Sequence, residues 1–389
     1  MNDRCTAEDE EPASGLTRRE FLGAASAGVV GVSAAATPLH GGTLEARRVP
    51  ENARKPLNDI RGLFAFDQTV DPDGFARSCR DWGIRQAILH PGFFRDDKMI
   101  VALHKEGVGL WLNLPVFYNV EYLERHPESY AITSQGRRAI HDWCHFVCPS
   151  REDYLDELVR DVRVILSRVH PEIVSLDFIR HFVFWEKVAL SGDPASIEDG
   201  CYCPMCLMAF EKACGEKVNR DNAARYIRAN LKRQWGDWKC RAIANVAERL
   251  LAEIRPLARQ ATFAVKLVPW MESDLDGAIR SSAGQDAAML TRNLDVAVPM
   301  AFTQVLGQTP EWKRRLLTHV RALTGKAVLS YVQIERLIRT EEITVAQLET
   351  ELDEALSSEW AGAVVFEYQQ LTANPTKAGI LQKHLRRSG

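Results

Sequence analysis

Short apolar runs recur along the chain after residue 60, and stretches with apolar residues at helical spacing lie between most of them. A near-continuous apolar run is typical of a strand covered on both faces, as in a parallel sheet enclosed by helices. Strands are predicted at 62–66, 86–90, 109–114, 173–179, 262–268, 294–300, 327–332 and 363–368. Amphipathic helices are predicted between them, for example at 72–82, 100–106, 151–169, 309–324 and 345–358.

This strand–helix alternation, repeated eight times within about 250–320 residues, predicts a (β/α)8 TIM barrel of the α/β class. The alternative is a doubly wound open sheet, which normally carries a glycine-rich phosphate loop after its first strand. The segment at 66–70, after the first predicted strand, contains no glycine. The barrel is therefore the predicted fold, and residues 56–389 are assigned to it.

The longest connection follows the fourth strand and runs from about residue 181 to 261. Within it, residues 186–258 are predicted to form an insertion with a cysteine knuckle and a long helical segment. Trp235 and Trp238 lie in that segment among apolar residues at helical spacing, which is typical of core aromatics.

The N-terminal segment differs in character from the rest of the chain. Arg18 and Arg19 precede a short, weakly hydrophobic run that ends in three alanines. This pattern predicts a twin-arginine signal peptide at 1–36, followed by a flexible leader at 37–55. It implies recognition by the twin-arginine export machinery, which carries folded proteins, and a periplasmic or secreted location. The run is too short to span a bilayer, so the processed protein is not expected to be membrane-embedded.

Charge and composition narrow the functional classes. The chain has 389 residues and a formal net charge of −3. This near-neutral balance lacks the basic footprint of a nucleic-acid-binding protein. Neither a nucleic-acid partner nor an organic cofactor is expected.

Polar residues follow nearly every predicted strand, and the carboxyl ends of the strands carry the chemistry in such barrels. Asp177 and Glu367 are the most informative, because each lies inside an apolar run where a carboxylate is costly unless it is partnered. The loop after strand four adds Trp185 and Glu186. The residues at the strand ends are Asp67, His90, Asn113, Asp177, Arg180, Lys266, Gln304, Tyr331 and Glu367.

Three cysteines of the insertion, Cys201, Cys203 and Cys206, form a C-x-C-x-x-C pattern. Thiols at this spacing suit tetrahedral zinc, and a fourth ligand must come from elsewhere. Cys148 is assigned that position; Cys144, His145 and Cys214 are alternatives. Disulfides are a second possibility after export, but a C-x-C pair bridges badly to itself. Four thiolates leave no open position for water, so the expected zinc is structural.

The Leu-Asp-Phe-Ile-Arg segment at 176–180 and the Cys-Tyr-Cys-Pro-x-Cys-x-x-x-Phe segment at 201–210 resemble the family 42 β-galactosidases and, more closely, the barrel glycoside hydrolases related to them. The resemblance follows the order of elements over about 60–385 and implies a carbohydrate substrate. It departs from family 42 at the catalytic positions: no Asn-Glu pair ends the fourth strand, and the seventh ends in Ser-Tyr-Val-Gln. The catalytic roles of that family are therefore not transferred.

Glycoside hydrolysis needs two carboxyl groups across the scissile bond, one protonated and one ionised. Asp177 is assigned the ionised role, with its charge held by Arg180 and Lys266. Glu186 or Glu367 is assigned the acid role, with its pKa raised by apolar neighbours. A cluster of the tryptophans near the strand ends, Trp111, Trp143, Trp185 and Trp270, would indicate a sugar platform. Residues assigned to substrate binding are Arg180, His90, Asn113, Lys266, Trp185, Tyr331 and Asp67.

Three alternatives are open at this point. Arg180 could be only the structural ion partner of Asp177. His90 and His181, with Asp67 and Asp177, could form an open metal site for a deacetylase- or isomerase-like reaction, although no His-x-His or His-Glu-x-x-His spacing occurs. A non-catalytic barrel that binds glycans or partners is the third, and distant carboxylates or a plugged mouth would favour it.

Overall fold

A computed structural model describes residues 59–387. Nine strand segments form one parallel sheet in the order β10-β11-β1-β2-β3-β6-β7-β8-β9. Only Leu329 separates β9 from β10; β9 bonds to β8 and β10 bonds to β11, so together they are the seventh strand of a (β/α)8 barrel. The strands are β1 (Ile60–Phe64), β2 (Gln86–Leu89), β3 (Gly109–Pro115), β4 (Ile140–His141), β5 (Cys144–His145), β6 (Ile173–Asp177), β7 (Thr262–Leu267), β8 (Val296–Pro299), β9 (Ala327–Val328), β10 (Ser330–Gln333) and β11 (Gly362–Phe366).

Helices enclose the sheet, as the continuous burial of its strands requires. They are α1 (Pro72–Trp82), α2 (Lys98–Glu106), α3 (Val120–Arg125), α4 (Glu152–Arg168), α5 (Pro204–Cys214), α6 (Ala223–Asn230), α7 (Lys232–Ile254), α8 (Ala278–Ser281), α9 (Ala287–Leu290), α10 (Thr303–Leu306), α11 (Pro310–Thr324), α12 (Val345–Ala355), α13 (Tyr368–Ala373) and α14 (Pro375–Arg387). Among residues 59–387, no helix combines the length and the apolar character needed to cross a bilayer. The TIM-barrel prediction is confirmed; the predicted signal peptide and the whole of the predicted leader lie outside the described residues.

The strand boundaries differ from the predicted ones at two informative places. The first strand begins at Ile60, two residues earlier than the apolar pattern indicates, because Arg61 is buried in it. The guanidinium of Arg61 bonds to Asp59 and to the carbonyl of Leu385. The fourth strand ends at Asp177 because Phe178 takes a φ of +48°, which breaks the extended backbone.

The connection from β6 to β7 contains α5, α6 and α7. Trp235 and Trp238 of α7 are buried and stack at a centroid distance of 4.9 Å, with Phe210 of α5 packed edge-on against Trp235. Their interpretation as core aromatics is therefore confirmed.

Candidate active site at the carboxyl ends of the strands

Asp177 ends β6 at the carboxyl face of the barrel, and its carboxylate is held by three donors. Oδ2 lies 3.2 Å from Nζ of Lys266 and accepts a 3.0 Å hydrogen bond from Nδ2 of Asn113. Oδ1 accepts a 2.8 Å bond from the backbone N–H of Phe178. Each of these contacts places an N–H donor on a carboxylate oxygen.

A polar chain inside the barrel orients Asn113. The indole Nε1 of Trp111 donates to Oγ of Ser175 at 2.8 Å, and Ser175 donates to Oδ1 of Asn113 at 2.7 Å. With its Oδ1 engaged as an acceptor, the amide of Asn113 must present Nδ2 to Asp177. Sequence reasoning missed Ser175, although it is the one polar residue before Asp177 in that strand.

Lys266 projects from the neighbouring strand, β7, and is buried. Its Nζ lies 3.7 Å from the centroid of the Phe64 ring. Burial lowers the pKa of Lys266 to about 8, and the charge of Asp177 opposes that shift. Strands β6 and β7 thus bring together two residues that are 89 positions apart in the chain, Asp177 and Lys266.

Arg180 does not form the ion pair with Asp177 that was predicted. Its guanidinium is buried and donates to the carbonyls of Val183 at 2.6 Å and His181 at 3.3 Å. It stacks over Phe146 at 4.7 Å. The left-handed turn at Phe178 carries the chain away from β6, so Arg180 supports the following loop and Lys266 takes the place beside Asp177.

Glu186 lies on a single helical turn, Trp185–Lys187, in the loop after β6. The residue is partly exposed, but its Oε2 is sealed from solvent and has no hydrogen-bond partner among the described residues. Burial raises the pKa of Glu186 to about 7; the charge of Asp177 adds to this shift and that of Arg180 opposes it. The charge of Asp177 thus acts on Glu186, and the two carboxyl groups have contrasting surroundings.

Glu367 follows β11 and belongs to a second acidic group. Burial raises its pKa to about 8, and the charge of Asp67 adds to the effect. Asp67 itself accepts bonds from the backbone N–H and the hydroxyl of Thr69 at 2.8 and 2.7 Å. The charge that acts on Glu367 is thus that of Asp67, whereas the charge of Asp177 acts on Glu186.

His90 and His181 are not placed to form the open metal site considered above. In His90, Nδ1 accepts from the N–H of Gly92 and Nε2 contacts the carbonyl of Phe66, both at 3.2 Å, and burial lowers its pKa to about 4. His181 is fully buried beside Trp238. Among residues 59–387, the one group of three or more potential metal ligands whose ligand atoms lie within 4.8 Å of one another is a set of four cysteines, so the structure gives that alternative no support.

The remaining candidates, Tyr331 and Trp185, lie among other aromatic side chains. Tyr331 and Trp185 are buried, and both pack against Phe302, at centroid distances of 4.7 and 6.3 Å. Trp111 and Trp270 are also buried, which excludes them as an exposed platform.

A partly exposed aromatic cluster covers the loop after β6. Trp143 lies at the tip of the β4–β5 hairpin and packs edge-on against Phe178 at 6.1 Å and Phe184 at 5.7 Å. Tyr118 stacks on Phe178 at 5.0 Å. Of the four tryptophans considered, only Trp143 is not buried, and its partners are phenylalanines and a tyrosine that the sequence did not single out.

The four cysteines assigned to a metal come together. Ligand atoms of Cys148, Cys201, Cys203 and Cys206 all lie within 4.8 Å of one another, and all four residues are buried. Sγ of Cys148 is 3.5 Å from Sγ of both Cys203 and Cys206. Disulfides need about 2.05 Å, whereas a tetrahedron with Zn–S bonds of about 2.3 Å has edges of nearly 3.8 Å. The cluster could therefore hold a metal ion.

The alternative fourth ligands lie elsewhere. Cys144 is buried near Arg180 and Glu186, whose charges affect its pKa. His145 bonds through Nδ1 to the hydroxyl of Tyr130 at 3.0 Å. Cys214 contacts the carbonyl of Glu216 at 3.9 Å. The assignment of Cys148 is confirmed as far as the grouping of the thiols is concerned.

Comparison with known proteins gives a likeness in structure alone. No family model matches the chain, and no curated protein matches it. Among solved structures, the PgaB (BpsB) glycoside hydrolase domain from Bordetella bronchiseptica matches over 85% of this chain and 99% of its own, with a TM-score of 0.63 and 16% identity.

Two β-galactosidases are similar to a comparable degree. The enzyme from Bacillus circulans sp. alkalophilus gives a TM-score of 0.63 at 11% identity over 87% of this chain, and that from the psychrophilic Marinomonas ef1 gives 0.61 at 13% over 84%. These likenesses, all below 25% identity, show that the chain shares the TIM-barrel fold of those three structures. The chain spans 57% and 58% of those two β-galactosidase chains, so their whole-protein activities do not follow from the shared barrel.

Proposed function

We propose that this protein is an exported glycoside hydrolase-like enzyme that cleaves a glycosidic bond with Asp177 and Glu186. The observation that carries the proposal is the contrast between the surroundings of these two carboxyl groups. Lys266 and Asn113 both contact one oxygen of Asp177, while Oε2 of Glu186 has no hydrogen-bond partner among residues 59–387 and burial raises the pKa of Glu186 to about 7. Two carboxyl groups with such different surroundings are what glycoside hydrolysis requires.

In this mechanism Glu186 donates its proton to the glycosidic oxygen as the C–O bond breaks, so the leaving sugar departs as an alcohol. Asp177 stabilises the positive charge that develops at the anomeric carbon. It acts either as the nucleophile or as the base that takes a proton from the attacking water. Glu186 is preferred to Glu367 as the acid because Asp177 acts on Glu186, whereas Asp67 acts on Glu367.

The other assigned residues support the pair. Lys266 and Asn113 fix the carboxylate of Asp177, and Arg180 stabilises the loop that carries Glu186. Tyr331, Trp185 and His90 pack around the mouth. Trp143 packs against Phe178 and is only partly buried, so it is the tryptophan best suited to stack on the apolar face of a sugar.

The direct test replaces the proposed ionised carboxylate. Hydrolysis of a panel of p-nitrophenyl glycosides and oligosaccharides is compared for the wild type, Asp177→Asn and the exposed control Asp276→Asn. We expect Asp177→Asn to lose at least about 10³-fold in kcat/KM, with an unchanged circular dichroism spectrum. Full activity in Asp177→Asn would rule out the assignment.

Export and the metal belong to the same proposal. The twin-arginine pattern at Arg18 and Arg19 supports export of a folded protein, and the buried thiol set of the insertion supports a structural zinc bound before export. Cys148, Cys201, Cys203 and Cys206 would hold the ion and tie the insertion to the loop after β3. Replacing both arginines with lysine is expected to leave the protein in the cytoplasm, which cell fractionation would show.

One observation favours a second candidate, a barrel that binds glycans without cleaving them. Both oxygens of Asp177 already have donors, and Oε2 of Glu186 is sealed from solvent. If wild-type protein binds glycans but hydrolyses none of the panel, the binding function holds.

A further inference from the structure

A cavity of about 430 Å³ lies beside the carboxyl face of the barrel, between the loops after the sixth and seventh strands. Small-molecule sites typically measure roughly 300–1,000 Å³. Residues of α10, the end of β10 and the exposed face of α12 form its walls. None of the residues assigned to catalysis or substrate binding lines this cavity.

The cavity is adjacent to the proposed catalytic pair. Helix α10, which forms one wall, also packs against the helical turn that carries Glu186. A single four-residue helix therefore separates the cavity from that turn.

The charges around the cavity are already paired. Arg339 contacts the carboxylate of Glu341 at 3.3 Å. Glu351 bonds to the buried Lys313, and the hydroxyl of Thr303 donates to Oε1 of Glu351 at 2.8 Å. With its ionised groups paired, the remaining polar groups of the lining are amides and hydroxyls, set in a surface that is mostly apolar. Such a lining suits an uncharged ligand that has both hydroxyl groups and apolar faces.

Four glutamines supply the amides: Gln304, Gln308, Gln333 and Gln347. Gln333 is only 3% exposed, and its Nε2 donates to Oε1 of Gln304 at 3.1 Å and to the carbonyl of Glu335 at 2.8 Å. Its Oε1 is buried and has no hydrogen-bond partner among the described residues. A buried acceptor of this kind is normally satisfied, and a donor from a bound molecule would satisfy it.

We infer that this cavity binds one uncharged sugar unit, with Oε1 of Gln333 accepting a hydrogen bond from a hydroxyl group of that unit. The inference rests on the proposed function in one respect: the sugar is taken to be the unit next to the one whose bond is cleaved. The neutral lining selects against uronic acids and amino sugars. Gln333 is thus a specificity-determining residue.

The experiment measures monosaccharide binding, which needs no turnover. Glucose, galactose, mannose and N-acetylglucosamine are titrated into wild-type protein and into Asp177→Asn, with ligand-observed NMR as the readout. Glucuronate, galacturonate and glucosamine serve as charged counterparts. We expect at least one neutral sugar to bind equally to both proteins and the charged ones to bind at least tenfold more weakly.

Two variants locate the site. Gln333→Leu removes the acceptor and is expected to weaken binding at least tenfold. Since it also removes two donated bonds, Ala346→Trp provides a second variant: Ala346 is an exposed residue of α12 that lines the cavity, so the new side chain fills it. The matched control is Val345→Trp, because Val345 is 40% exposed on the same helix and lies outside the lining.

The possible outcomes distinguish sugar binding in the cavity from the proposed hydrolytic function. Neutral-sugar binding that is lost in Ala346→Trp and Gln333→Leu, and kept in Val345→Trp, supports the inference even if no glycan is hydrolysed. Absence of neutral-sugar binding, preference for a charged sugar, or unchanged binding in Ala346→Trp overturns it. If the enzyme hydrolyses glycans and Ala346→Trp leaves KM unchanged, the inference fails while the proposed function stands.

Discussion

At the scale of single residues, two carboxyl groups in the same part of the barrel differ because their neighbours differ. Lys266, Asn113 and the N–H of Phe178 all contact Asp177. Glu186 has Trp185 beside it, and its Oε2 accepts no hydrogen bond from any residue that the structure describes. The local environment, not the type of side chain, therefore determines which group suits the role of base and which that of acid.

Glu186→Gln is expected to change the pH dependence of activity. With a pKa of about 7, Glu186 supplies its proton below that pH, so wild-type activity should fall as the pH rises through 7. Glutamine has no proton to give, and kcat for substrates with poor leaving groups should drop about 10²–10⁴-fold. An unaltered alkaline limb in a pH–rate profile of the variant would contradict this role.

The same substitution predicts a stability effect with a defined sign. The pKa of Glu186 is higher in the folded than in the unfolded protein, so ionisation costs stability as the pH rises from about 4.5 to about 7. Glu186→Gln removes this cost and should be more stable than the wild type at pH 8, by up to about 3 kcal/mol, with little difference at pH 4. Denaturant unfolding at the two pH values measures the difference, and Asp276→Asn is the exposed control.

At the scale of elements, two separate segments meet at one thiol cluster: the loop before α4 and the long connection from β6 to β7. Cys148 precedes α4, and Cys201, Cys203 and Cys206 lie at the start of α5. A metal at this point would replace many weak contacts that a long insertion otherwise needs.

Cys206→Ser is expected to abolish stoichiometric zinc and to lower the unfolding temperature. The reason is that three thiolates and a hydroxyl bind zinc more weakly than four thiolates, and part of the binding free energy stabilises the insertion. Cys214→Ser is the matched control, since Cys214 lies at the end of the same helix and outside the cluster. The zinc content of each purified protein is measured, and a content in Cys206→Ser equal to that of the wild type would exclude the site.

Helices α11 and α12 are joined by a buried ion pair between Lys313 and Glu351. Lys313→Met should cost about 3–5 kcal/mol, because it leaves the carboxylate without its charge partner. Arg314→Met is the control on the same helix: the Arg314 side chain is exposed, so loss of its contact with Glu354 should lower stability far less. Urea unfolding gives both values, and equal losses would mean that burial is not the decisive factor.

At the scale of the whole molecule, closure of the barrel depends on the approach of β11 to β1. Gly362 pairs with Ile60 at this junction and has a φ of +140°. A Cβ at that position would lie 2.0 Å from the carbonyl oxygen of Ile60. Neither strand can retreat without loss of ladder hydrogen bonds, so this position tolerates only glycine.

Gly362→Ala is therefore expected to destabilise the protein by several kcal/mol or to prevent its folding. Gly379→Ala is the contrasting control, because Gly379 lies inside α14 and a Cβ there meets no atom within 4 Å. It should raise stability by roughly 0.5–1 kcal/mol through helix propensity. Thermal unfolding gives the melting temperatures of the two variants. Similar values would refute the claim that closure of the barrel requires glycine at position 362.

The apolar pattern determined the strands, their order and the barrel, because hydrophobic periodicity is a local property of the chain. The cysteine spacing likewise determined three members of the thiol cluster. Carboxylates inside apolar runs, such as Asp177 and Glu367, were recognisable as candidate site residues because burial of a polar group is costly without a partner.

The choice of partners was decided only by the tertiary structure. Whether Arg180 or Lys266 pairs with Asp177 depends on the left-handed turn at Phe178 and on the register of β6 against β7, and neither is encoded by local spacing. The action of the Asp177 charge on Glu186, the partial exposure of Trp143 and the cavity beside α10 also arise from loops that meet in space. Local sequence specifies which residues are buried, but contacts between distant segments depend on how the closed barrel brings the strand ends together.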